Sequence, residues 1–133
     1  MRLLVTGGFG FIGSNFVNLL DKEDHEILII DKMTYASNKS NVKNQDIKCL
    51  EFDIFNKQKL DKVIKDFNPS AIVHFAAESH VDRSIDGPMT FVNTNLVGTA
   101  TLLDVLNNFI KKQSSEFKQN FKMIHISTDE VYG

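Results

Sequence analysis

The sequence predicts an α/β fold built on an open, doubly wound parallel sheet. Three observations lead there: short apolar runs that stop at turn residues, amphipathic stretches of helical period between them, and a glycine-rich turn joining the first strand to the first helix. Leu3-Leu4-Val5 shows no polar alternation and stops at Gly7 and Gly8, as a strand covered on both faces does; this places the first strand at residues 2–6. Ile12, Phe16, Leu19 and Leu20 recur at helical spacing and predict a helix whose stripe faces the sheet and which ends near Asp21-Lys22-Glu23-Asp24. Ile27 to Ile30, closed by Asp31, is a second buried strand, so the two runs and their helix form a right-handed βαβ unit.

The stretch 37–46 is almost entirely polar and is expected to be a solvated loop or a frayed helix. A third strand follows at about 48–52. Leu60, Val63, Ile64 and Phe67 supply an amphipathic helix that Pro69 stops, and Ala71 to Phe75 is the fourth strand. Leu96, Ala100, Leu103, Leu106 and Ile110 mark a long helix that runs out at Lys111 and Lys112, where cations suit its negative end. The fifth strand is expected at about 122–127.

Composition narrows the function classes. The 133 residues, 42% hydrophobic and 24% charged, suffice for one domain. A net charge of -2, with Arg2 and Arg83 the only arginines, argues against nucleic-acid binding. Cys49 is a lone cysteine, which offers no internal disulfide and no zinc set and fits a reducing cytoplasm. No apolar run approaches the roughly 18 residues of a membrane span. His74 and His125 lie in apolar strands without neighbouring metal ligands and are read as packed core histidines. The eleven phenylalanines are spread over strands and helix faces and are read as core as well.

The motifs fall beyond the carboxyl ends of the strands, where open α/β sheets bind ligands. Thr6 to Gly13 contains Gly7-x-x-Gly10-x-x-Gly13 and Gly8-x-Gly10-x-x-Gly13. Such glycines let backbone N–H groups approach a pyrophosphate at a helix N-terminus. Asp31, 18 residues after Gly13, suits an adenosine ribose and favours NAD over NADP, whose 2′-phosphate it would repel; Lys32 beside it weakens that preference. Asp53 and Ile54 suit an adenine edge and face, and equally a surface turn. Phe75-Ala76-Ala77-Glu78 brings small residues where a cofactor lies against backbone, and equally a plain turn. Ser127-Thr128-Asp129-Glu130 sets a hydroxyl and two acids at the mouth of the same cleft; the pattern fits a substrate anchor with a general acid and base, and also a solvated loop.

The segments VTGGFGFIGSNFV, DKMTYASN, HFAAESHVDRSI, NTNLVGT and STDEVYG resemble the extended short-chain dehydrogenase/reductases, and within them the 4,6-dehydratases of sugar nucleotides. The resemblance implies a Rossmann-like fold truncated after the fifth strand, NAD as cofactor and a nucleotide sugar as substrate. It implies dehydration of dTDP-glucose to its 4-keto-6-deoxy derivative by a cytoplasmic homodimer; another nucleotide-sugar dehydratase or a 4-epimerase is the alternative within the fold. Phe11 and Ile12 would cover the pyrophosphate, Asp31, Lys32, Met33 and Thr34 hold the adenosine ribose, and Asp53 and Ile54 hold adenine. Phe75, Ala76, Ala77, Glu78 and Thr94 would line the nicotinamide side, and Ser79 and Thr128 would hold the sugar. Asp129 would protonate the departing 6-hydroxyl and Glu130 remove the C5 proton. Asn93 stands where the family commonly has an acid. The family's Tyr-x-x-x-Lys motif and sugar-nucleotide domain are expected further along, so the 133 residues are read as an N-terminal cofactor-binding part, a module without turnover of its own.

Overall fold

A computed structural model describes residues 1–20, 25–80 and 85–132, with the side chain of Glu130 left aside. Among the described residues, five strands form one parallel sheet: β1 (Arg2–Thr6), β2 (Glu26–Asp31), β3 (Lys48–Glu51), β4 (Ala71–His74) and β5 (Lys122–His125). Their order is β3-β2-β1-β4-β5, so the direction of winding reverses between β2 and β4, over β1. Leu4 pairs with Leu28 on one side and Ile72 on the other, which sets the register of the three central strands. The expected doubly wound sheet is therefore present, with each strand within two residues of its predicted bounds.

The uninterrupted apolar runs follow from burial on both faces. Leu4, Leu28, Ile30 and Ile72 point into one core with Leu60, Ile64, Phe67, Leu102, Val105, Leu106 and Phe109. Their neighbours Leu3, Val5, Ile27, Ile29 and Ala71 point the other way, against Phe9, Val17 and Val42. Because side chains alternate along a strand, a strand between two helical layers needs apolar residues at every position.

The helices are α1 (Phe11–Leu20), α2 (Lys57–Phe67), a short α3 (Pro88–Phe91), α4 (Thr99–Lys111) and α5 (Ser115–Asn120). The polar stretch 37–46 holds a single 3-10 turn, Lys39–Asn41, capped by the Asn38 side chain. Two stripes differ from expectation. In α1 the buried residues are Gly13, Ser14 and Val17, whereas Ile12 and Leu19 are 59% and 67% exposed. The helix rests so closely on the glycine turn that small residues fill its inner face. Its predicted end at Asp21 to Asp24 lies outside the described residues.

In the long helix, a π-helical segment, Val92–Gly98, joins α3 to α4. The buried stripe runs through this segment and α4, from Thr94 and Gly98 to Leu102, Val105, Leu106 and Phe109. Leu96 and Leu103 stay 66% and 49% exposed, and Ala100 is exposed too. Neither α3, with Gly87 before it and Pro88 at its start, nor α5, capped by Ser114, was expected.

Helix α2 ends one residue before Pro69, on Asn68, which adopts the left-handed conformation (φ 47°, ψ 63°) while its N–H donates to the Ile64 carbonyl. Asn tolerates this region better than a residue with an unadorned Cβ. Asn68→Ala is accordingly expected to lower stability by about 1 kcal/mol, and Asn68→Gly not to lower it, as read from urea unfolding midpoints.

Candidate dinucleotide site

At the reversal of winding, β1 and β4 deliver their loops side by side. Gly7 has φ +70°, and a Cβ there would stand 2.6 Å from the Ala76 nitrogen. Gly13, on the first turn of α1, lies so near that a Cβ would fall 2.3 Å from the Gly7 carbonyl oxygen. Only glycine at both places lets strand, turn and helix close on one another. The N-terminal N–H groups of α1, which lack intrahelical acceptors, then open over this crevice.

Beneath it, the Ala76 N–H donates to Thr6 Oγ1 at 3.4 Å, and Thr6 Oγ1 lies 2.6 Å from His74 Nδ1. On the other side of the ring, His74 Nε2 lies 3.0 Å from Thr99 Oγ1, so both ring nitrogens are hydrogen-bonded to hydroxyls. Burial, together with the His125 ring 4.9 Å away, lowers the His74 pKa to about 4. His74 is thus the packed, hydrogen-bonded histidine expected. His125 is not: β5 is the edge of the sheet, and this side chain is exposed.

Asp31 is 6% exposed at the end of β2 and accepts three hydrogen bonds. The Phe9 N–H donates to Oδ2 at 3.0 Å; the Met33 N–H (2.9 Å) and the Ser37 hydroxyl (2.7 Å) donate to Oδ1. These donors fix the carboxylate's plane and leave acceptor capacity on Oδ2. Met33 itself takes φ 56°, which turns the chain sharply after β2. Asp53 Oδ1 accepts from the Phe55 N–H at 3.0 Å, and Ile54, buried, packs where a Cβ on Gly98 would meet it at 3.0 Å.

These loops border an open cleft whose lining includes Gly7, Gly10, Asp31, Lys32, Thr34, Asp53, Ile54, Phe75, Ala76, Ala77, Glu78 and Thr94, singled out in the sequence, and Ile30, Ala36, Ser37 and Phe52, which were not. Phe11 and Ile12 stand exposed at the start of α1, Gly13 is buried behind the turn, and Met33 packs on the α1-side core. Ser79, Thr128 and Asp129 are exposed in the loops after β4 and β5, outside that lining, and Thr128 Oγ1 donates to Asp129 Oδ1 at 3.1 Å. Asp129–Val131 is a 3-10 turn. The Glu130 side chain and the Val81 to Ser84 part of the quoted motif lie outside the described residues.

Sequence reasoning assigned no role to Ser37, which orients Asp31, or to Asn95. The Asn95 amide accepts from the Glu78 N–H (2.8 Å) and donates to the Glu78 carbonyl (2.9 Å), pinning the loop after β4. Ser37 stands in DKMTYASN and Asn95 in NTNLVGT; a polar residue repeated in such a segment was the available signal.

A glycine turn at a winding reversal, a helix N-terminus over it and a carboxylate at the end of the second strand define a dinucleotide-binding α/β protein. The sequence model of the GDP-mannose 4,6 dehydratase family matches residues 4–133, and the chain belongs to that family. It is 44% identical over 137 residues to a probable dTDP-glucose 4,6-dehydratase of Sinorhizobium fredii, covering 100% of this chain and 39% of that protein. A dTDP-glucose 4,6-dehydratase from Streptomyces venezuelae, solved with NAD bound, superimposes with a TM-score of 0.82 at 41% identity, covering 100% of this chain and 41% of that one. A UDP-glucose 4-epimerase from Thermotoga maritima gives 0.81 at 28% identity over 96% of this chain and 38% of that one. The chain thus spans about two fifths of the length of these relatives.

Proposed function

We propose that the chain is the NAD-binding part of a nucleotide-sugar 4,6-dehydratase, a hydro-lyase that in its full length converts dTDP-glucose to dTDP-4-keto-6-deoxyglucose. The observation that carries the cofactor half is the contact of the Gly7 turn with Ala76 beside the oriented Asp31 carboxylate. Side chains are missing where a pyrophosphate needs backbone, and an acceptor stands where a ribose needs one. The higher identity to the dehydratases than to the epimerase favours elimination chemistry.

When bound, NAD would supply the hydride acceptor for C4 of the sugar and afterwards the hydride for C6, with water lost across C5 and C6 in between. The C4-hydroxyl proton falls to the tyrosine of the motif expected further along, and the residues of this chain bind the cofactor and the sugar and carry the elimination. The α1 N-terminus and the glycine turn hold the pyrophosphate, with Phe11 and Ile12 over it. Asp31, Lys32, Met33 and Thr34 border the adenosine ribose, and Asp53 and Ile54 border adenine. Ala76, Ala77, Glu78 and Thr94 border the dinucleotide along the loop after β4 and the helix that follows, and Ser79 and Thr128 anchor the sugar. Asp129 gives its proton to the departing 6-hydroxyl, which leaves as water, and Glu130 takes the C5 proton and gives one back to C5 when C6 receives the hydride. The hydrogen bond from Thr128 to Asp129 keeps the hydroxyl and the acid together. Among the described residues no helix is long and apolar enough to cross a membrane. The proposal includes a cytoplasmic homodimer that does not bind nucleic acid.

Two measurements test this. Titration calorimetry is expected to show saturable NAD binding to the 133-residue chain; a flat titration of folded protein removes the cofactor assignment. In the whole protein, Asp129→Asn with Glu130→Gln is expected to slow dehydration at least about a hundredfold, the ordinary scale of general acid–base catalysis, with NAD affinity retained. Wild-type turnover by that variant removes the catalytic roles.

A further inference from the structure

Among the described residues that line the cleft, Lys32 is the one cation, against three carboxylates, Asp31, Asp53 and Glu78. It follows Asp31 directly, so a ribose held by Asp31 would carry any 2′-phosphate within reach of a free Lys32 ammonium. The ammonium is engaged elsewhere. Nζ donates to Thr94 Oγ1 at 2.9 Å, and lies 3.2 Å from Glu78 Oε1 and 3.7 Å from Asp53 Oδ2. Glu78 dominates this set: its side chain is 9% exposed against 42% for Asp53, so its attraction is the less screened, and Asn95 fixes its backbone from both sides.

We propose that Glu78 sets cofactor selectivity by tethering Lys32: held by Glu78, Asp53 and Thr94, the ammonium does not serve a 2′-phosphate, and NADP meets Asp31 without a compensating cation among the described residues. Glu78 is in this respect a positioning residue that acts through Lys32. The inference rests on the dinucleotide reading of the cleft. It adds that NAD preference is carried by the pairing across the cleft as well as by the Asp31 charge. Lys suits this arrangement because a compact ammonium on a flexible stem can be redirected by a single partner, whereas an Arg fork would bind a phosphate more firmly in place.

The test is a double-mutant cycle on Lys32→Met and Glu78→Gln, with NAD and NADP affinities measured by calorimetry on each protein. The backbone hydrogen bonds to Asn95 do not use the Glu78 carboxylate, so the Gln variant keeps its loop. Glu78→Gln is expected to raise the affinity for NADP relative to NAD at least tenfold. Lys32→Met alone is expected to leave that ratio within twofold, and Lys32→Met in the Glu78→Gln background to abolish the gain. An equal gain with Met at position 32 means that removing a negative charge is the whole effect, and overturns the proposal. So does an unchanged ratio in Glu78→Gln, or a ratio that already falls with Lys32→Met alone. Wild-type protein that binds neither dinucleotide overturns the cofactor reading itself and is seen before any variant is compared. Should Glu78→Gln fail to fold, Asp53→Asn replaces it in the cycle, with a smaller gain expected and the same Lys32 dependence required.

Discussion

Gly13→Ala is expected to destabilise the protein by about 3 kcal/mol, the upper part of the range for forcing atoms into a packed site. The sign is opposite to the usual one. At an ordinary helical position, Gly→Ala stabilises by roughly 0.5–1 kcal/mol because the unfolded chain loses freedom. Here the added Cβ would stand 2.3 Å from the Gly7 carbonyl oxygen and 3.0 Å from the Gly8 Cα. Both obstacles are backbone of the turn that β1 and β4 hold in place, so α1 must move off the sheet. Movement of α1 also carries its N-terminal N–H groups away from the crevice, and weaker NAD binding is expected with the loss of stability. Gly10→Ala is the control. Its Cβ would meet only the Gly7 oxygen, at 3.4 Å, an ordinary contact. The expected change there is within about 1 kcal/mol. Urea unfolding of the two variants measures the difference; equal effects would mean that the close approach of α1 to the turn is not what requires glycine.

Stability is expected to fall by about 2 kcal/mol between pH 7 and pH 5 through His74 alone, and by about 3 kcal/mol at pH 4. In the folded chain the His74 pKa is lowered from 6.5 to about 4, first by burial and then by the nearby His125. The unfolded chain therefore takes up a proton near pH 6.5 that the folded chain refuses until about pH 4. The contribution is fully present above the unfolded value and is lost as pH falls between the two. Thr6 and Thr99, which flank the ring, are neutral hydroxyls and do not offset the charge. His74→Gln keeps hydrogen-bonding groups without titrating, so its unfolding midpoint should start lower at pH 7 and fall less steeply toward pH 5. Parallel pH profiles for wild type and variant would remove His74 as the source.

Thr6 precedes the Gly7 turn and Ala76 lines the crevice, and the two are joined through the same hydroxyl that contacts His74.

How much of this was legible beforehand depends on the kind of signal. Leu3 to Val5, Ile27 to Ile30 and Ala71 to Val73 announce buried parallel strands, because a strand covered on both faces has no polar position to hide. The glycine pattern and Asp31 announce the crevice, because both needs are local: a turn without side chains and an acid at a strand end. The helix stripes were read less well, since Ile12, Leu19, Leu96 and Leu103 are apolar at helical spacing and yet exposed. Periodicity reports that a face is apolar without reporting which layer meets it.

By itself, the sequence determined the succession of the five strands and of helices α1, α2 and α4, the glycine turn and the acid that follows it, since each of these depends on residues close in the chain. Only the tertiary structure decided where the charges and the histidine point. Lys32 meets Glu78 and Thr94, and Thr6 meets His74, across 46, 62 and 68 residues of chain. Such partners are selected by the folding of β2, β4 and the helix after it onto one crevice, and no local pattern encodes a contact between groups that only the sheet brings together.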